Sequence, residues 1–119
     1  MREIKFRVWS VLAIRMINWE NIFHLPAWEI FPGTPEQRPF NVMQYTGLKD
    51  KNGVEIYEGD IVKYDDAGGE THTQVIEYDD EMGAFCCDRG AYVDYFTCMW
   101  EIEVLGNIYE NPGLLKDDL

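Results

Sequence analysis

The side chains in this sequence that could do chemistry are three cysteines, two histidines and a surplus of carboxylates. Cys86 and Cys87 are adjacent and Cys98 follows eleven residues on, while His24 and His72 lie in distant segments. Thiolate catalysis needs a cysteine, a histidine base and an orienting carboxylate. Cys98 or Cys86 with His72 and an aspartate is the set this chain offers, and no local signature joins them. His72 stands between Thr71 and Thr73 in an extended run, the setting of a surface histidine. A zinc site would want a Cys-x-x-Cys pair and both histidines converging, and that pair is absent, so buried thiols are the ordinary account. Three cysteines make no even disulfide framework and suit a reducing compartment.

Carboxylate chemistry is no better marked. Asp50-Lys51-Asn52-Gly53 looks like the start of a calcium loop, but an EF-hand needs glycine at its sixth position and glutamate at its twelfth, and here glycine arrives fourth. Asp65-Asp66 and Asp79-Asp80-Glu81 adjoin turn glycines and read as solvated hairpin tips. Acids are too plentiful to single out a glycosidase pair. Gly68-Gly69 is followed by acids and threonines rather than a phosphate-binding lysine. The expectation is a protein that is not an enzyme, with no cofactor and no metal.

Charge narrows the partners. The 119 residues carry a net charge of −12, unevenly spread. Residues 1–50 have six Lys/Arg against five Asp/Glu, whereas residues 51–119 have four against seventeen, a net of −13. Nucleic-acid binding needs clustered cations to release counterions, so direct contact with nucleic acid is not expected. An acidic face would attract basic partner surfaces, or would simply keep the chain soluble. No apolar run approaches the roughly 20 residues of a membrane span, and no apolar h-region follows the N-terminal charges. A cytoplasmic location, away from membranes, is expected.

The elements that position these groups are short. Glu3-Ile4-Lys5-Phe6-Arg7-Val8-Trp9 alternates, placing Ile4, Phe6 and Val8 on one face of a strand. Residues 11–17 lose the period and suit a buried strand better than a short helix. Residues 19–40 hold four of the five prolines and form a loop or linker with aromatic residues in it. Residues 42–46 are a strand. Asn52-Gly53 then marks a tight turn, Gly59-Asp60 a second, and residues 61–64 the next strand. Residues 71–78 form a strand between the reversals at 67–69 and 81–83, and residues 85–87, 92–96 and 100–105 supply further strands or a short helix. Regular short strands with turns between them predict a small, partly open SH3-like β-barrel over about residues 54–110. Internal repeats and low-complexity segments are absent.

Two groups of residues are candidates for binding. Trp9, Trp19, Phe23, Trp28 and Phe31 lie in the near-neutral, proline-containing half, and such aromatics anchor protein interfaces or cover a core. The turn with Lys49, Asp50, Lys51 and Asn52 either only sets the barrel's register or presents an exposed binding edge. The C-terminal leucines, Leu114 and Leu115, follow a turn and could clip back onto the body or onto a neighbour.

The stretches MREIKFRVW, MQYTGLKDKNGVEIYEGDIVKY and VLGNIYENPGLL resemble the YopX family of small phage and prophage proteins. The central motif is long and specific, while residues 18–40 and 79–97 carry no family signature. The resemblance implies an SH3-type β-barrel in the C-terminal part, a phage or prophage origin in a bacterium and assembly into a multimer, and it implies no catalytic residues. With that origin it implies the cytoplasm of a bacterial host, and a basic host or phage protein as the partner an acidic face would meet. The expected organisation is mainly β: an N-terminal strand-and-loop extension over residues 1–46 and the barrel with its tail over 47–119. The expected role is a phage accessory protein that mediates protein interaction or self-assembly as a homo-oligomer. The alternatives are an acidic decoy for a basic host nucleic-acid-binding protein and, far behind, a small hydrolase or thiol enzyme.

Overall fold

The computed structural model describes residues 3–25, 40–65, 68–81, 83–86 and 101–116. The chain divides into two compact units, Met1–Tyr45 and Thr46–Leu119. The class is mainly β with a curled half-barrel sheet, as the sequence leads one to expect.

The first unit is built on strand β1 (Phe6–Ser10), with β2 (Arg15–Ile17) antiparallel on one side and the start of β3 (Phe40–Lys49) antiparallel on the other. Val8 faces Ile17 across one pair and Val42 across the other, so three branched side chains stack across the sheet. Val8, Ile17 and Ile22 form the core, with Phe6, Trp19 and Phe40 among the residues packed on it. The one-turn helix α1 (Trp19–Ile22) begins after Asn18, whose extended backbone lets its carbonyl accept the amides of Asn21 and Ile22.

Two expectations for this unit are corrected. Ile4 does not join the buried face. The ladder with β3 ends at Phe6 with one further bond, from Tyr45 N–H to Lys5 O, and Ile4 lies beyond it, 64% exposed. Residues 11–14 are not a strand but the turn of the β1–β2 hairpin, between the paired Ser10 and Arg15. Buried Ser10 fixes that turn: its Oγ accepts the Ala13 amide at 3.0 Å and its carbonyl the Ile14 amide at 2.9 Å. Of residues 19–40, those described hold the short helix α1 and, at Phe40, the first residue of β3.

The second unit contains β4 (Glu55–Tyr57), which pairs with β3, and a three-stranded sheet ordered β6 (Thr71–Val75), β5 (Asp60–Asp65), β9 (Glu103–Asn107). A hairpin of β7 (Glu77–Asp79) and β8 (Ala84–Cys86) and a final helical turn α2 (Gly113–Lys116) complete it. Its core is Ile56, Val62, Tyr64, Ile76, Phe85 and Ile102. Tyr78 and Phe85, opposite one another in the β7–β8 hairpin, meet edge to face at 5.2 Å.

The stretch 71–78 is two strands rather than one, because Ile76 turns inward. Burying an isoleucine is worth about 1.5–3 kcal/mol, more than one ladder position contributes. Nothing is lost in exchange, since Ile76 N–H donates to Asp60 O and Gly59 N–H donates to Ile76 O. β5 and β9 change register between Ile61 and Val62, where Gly106 and Val104 are the successive partners, so Leu105 is the extra residue of a bulge. The strand expected at 92–96 lies outside the described residues.

Turns hold these strands together. The tight turn expected at Asn52-Gly53 is present over residues 50–53, closed by the Gly53 amide on Asp50 O, with the positive φ at Gly53 (+83°) and not at Asn52. Asp50 is only 7% exposed. Its Oδ1 accepts the amides of Asn52 (2.8 Å) and Val54 (2.9 Å), and its Oδ2 accepts the amide of Val104 (2.9 Å) on β9. Lys51 reinforces the junction, with its amide on Ile102 O and its ammonium 3.4 Å from Glu103. Asp60, fully buried, accepts the Tyr57 amide at 2.7 Å, and Thr46 Oγ1 donates to Ile56 O at 2.7 Å. At the C-terminal turn Asn107 Oδ1 accepts the amides of Tyr109 and Glu110, and Asn111 Oδ1 accepts the Asn107 amide.

Two stability predictions follow from these turns. Replacing Asp50 with alanine strips acceptors from three amides at once and is expected to cost more than about 3 kcal/mol, with Asp50→Asn intermediate, measured as the shift in urea midpoint. A side chain at Gly106 would drive its Cβ into Asn111. Gly106→Ala is therefore expected to destabilise by about 1–3 kcal/mol, and the Gly106→Ala/Asn111→Ala pair to cost less than the sum of the two single changes.

Candidate interaction surface

Among the described residues, no three His, Cys, Asp or Glu side chains gather to hold a metal ion. Of the pieces of the thiol reading, the structure describes Cys86 and His72. Cys86 is buried in β8, Cys87 and Cys98 lie outside the described residues, and His72 on β6 stacks on Tyr64 of β5 with centroids 5.3 Å apart. His72 is thus one member of a cross-strand aromatic pair, its ring half-buried.

The turn candidates separate. Lys49 and Asn52 are exposed, but Asp50 is not part of an exposed edge: three backbone amides consume its carboxylate, and that is why it is buried. Lys51 faces Glu103. The register-setting account therefore covers Asp50, and only the rim of the turn is open to a partner.

The aromatic candidates separate as well. Trp9 is half-buried in β1, opposite Met16 and Asn41. Trp19 packs on the first unit's core and against Phe6 at 6.2 Å, so it serves mainly as a cover for that core. Phe23, one turn on, rests edge-on against Trp19 at 4.6 Å and is 69% exposed. Trp28 and Phe31 lie outside the described residues.

The structure adds a feature that the sequence reading missed. The tip of the β1–β2 hairpin is apolar throughout: Leu12 is 83% exposed, Ile14 74%, and Val11 and Ala13 are exposed beside them. The available signal was the loss of alternation between Ser10 and Arg15, two polar residues flanking an aperiodic apolar run. Next to this tip, β2 and α1 enclose a hollow of about 370 Å³. Its lining is mixed, with Met16, Ile17 and Leu25 apolar and the exposed Arg15, Asn21 and His24 polar. Exposed tip, exposed Phe23 and lined hollow belong to the same unit, which makes this surface the strongest candidate for recognition.

Among the described residues no helix is long and apolar enough to cross a membrane. Comparison with known proteins gives the fold firm relatives. The crystal structure of protein EF1440 from Enterococcus faecalis is similar at TM-score 0.68 with 26% identity, covering 97% of this chain and 99% of that one. The crystal structure of protein yopX from Bacillus subtilis is similar at TM-score 0.59 with 18% identity, covering 96% and 98% respectively, a likeness of fold. No curated protein matches the chain. The family model described as YopX protein matches residues 5–116, the span holding both units' strands, so the chain belongs to the YopX family.

Proposed function

We propose that this protein is a non-enzymatic accessory protein of a phage or prophage, acting in the bacterial cytoplasm as an interaction and self-assembly module. The observation that carries this reading is the exposed apolar tip of the first hairpin with exposed Phe23 on the same unit. Large apolar side chains gathered on one small unit are costly to leave in water and mark contact surfaces. The second unit supplies the complementary property, a rigid scaffold whose turns are locked by buried carboxylates. Fold alone names no activity, so the argument rests on the surface. Sedimentation velocity at low micromolar concentration is expected to show a defined multimer, and a monomer at every concentration would overturn the assembly reading.

The charge distribution favours one second reading, a decoy for a basic nucleic-acid-binding protein of the host. Residues 51–119 carry a net of −13, enough to steer a basic surface at low ionic strength. Capture of a basic host protein from lysate at low salt and its release at high salt is the expected result; capture that ignores salt, or none, removes the reading.

A further inference from the structure

The residue that fits its surroundings least is Ile14. It is the one non-glycine residue with positive φ among those described, at φ +54°. A β-branched side chain in that region is sterically strained, and asparagine or glycine adopts it more readily. Ser10 imposes the conformation through its bonds to the Ala13 and Ile14 amides, so the strain is built into the turn. Packing offers no compensation, because Ile14 is 74% exposed. Neither local conformation nor the core formed by the described residues accounts for isoleucine here, nor for leucine two residues earlier. A strained, exposed apolar side chain that brings its own fold no gain points to a contact outside that fold.

We propose that the hairpin tip is a knob that inserts Leu12 and Ile14 into the hollow between β2 and α1 of a second copy of this chain. The inference rests on the self-assembly reading and names its contact. The hollow is an open, mixed receiving site: Met16, Ile17 and Leu25 offer apolar contacts, and exposed Arg15, Asn21 and His24 offer polar ones beside them. Its volume of about 370 Å³ has room for aliphatic side chains of this size. Charge selects the same surface. Two copies repel one another through residues 51–119, but residues 1–50, with six cations and five anions, meet without repulsion. The net charge of −12 also opposes an anionic membrane as the occupant's alternative. Knob and hollow adjoin at Arg15, which ends the tip and lines the hollow. A two-fold axis then lets each copy's tip enter the other's hollow, a closed and self-complementary contact.

The test compares the full chain with Leu12→Lys, Ile14→Asn and Leu12→Lys/Asn21→Glu by sedimentation over a range of micromolar concentrations, with thermal melts of each. The wild type is expected to associate. Leu12→Lys should raise the dissociation constant at least about tenfold, because it gives up the leucine's apolar contacts with Met16, Ile17 and Leu25 and sets a second cation beside Arg15. Ile14→Asn should weaken association too, while its melting midpoint does not fall, because asparagine tolerates the turn's φ. Adding Asn21→Glu to Leu12→Lys should restore association in a salt-sensitive way. If the wild type associates and both single variants associate equally well, the tip is not the contact and this inference falls while self-assembly stands. A monomeric wild type overturns both.

Discussion

The carboxylate of Asp50 is the interaction on which the second unit is organised. A buried carboxylate is costly unless each oxygen is engaged, and charge-assisted bonds from backbone amides are the strongest common way to engage it. Two of its bonds stay inside the turn and make it rigid; the third reaches Val104, so the same group that shapes the β3–β4 turn also fixes β9. Around the next turn the arrangement recurs in another form. Asp60 closes that turn on Tyr57, its carbonyl receives Ile76, and Gly59 O receives the amide of Ile108. Each tight turn thereby holds a strand end distant in sequence, and the hydrophobic core fills the space these junctions define.

Much of this was legible because it is local. Asn52-Gly53 and Gly59-Asp60 determine the backbone where they stand, so their turns and the strands beside them could be read from composition and spacing. The alternation of residues 6–8 gave Val8 its place for the same reason. What could not be read depends on partners far along the chain. Nothing near Asp50 says that Val104 will meet it, and without that partner a charged turn residue reads as exposed. Ile76 could not be recognised as a break, because its hydrogen bonds go to Gly59 and Asp60. The candidate surface was half legible: the aromatic richness of the first half was evident, but which aromatics are spent on the core and which remain open is decided by packing. Residues 11–14 were hidden behind their own hydrophobicity, since an apolar run is ordinarily buried.

The two units divide the physical tasks. In the first, a small core of Val8, Ile17 and Ile22 leaves several large apolar side chains in water. In the second, the surface is strongly acidic by composition and the apolar residues are drawn into a cluster of isoleucine, valine and aromatics. Such a division suits a protein whose contacts are made by one part and whose solubility is maintained by the other.

The Asp50–Val104 bond has a consequence for the time course of folding. The 50–53 turn can form as soon as its own residues are free, but one carboxylate oxygen then waits for an amide 54 positions later. Ile108, whose amide caps Gly59, comes later still. In synthesis from the N-terminus, residues 50–53 are made well before Val104 and Ile108, and both junctions must be joined across long loops. The second unit therefore stays open at both junctions until β9 and Ile108 are in place, however early its own turns form.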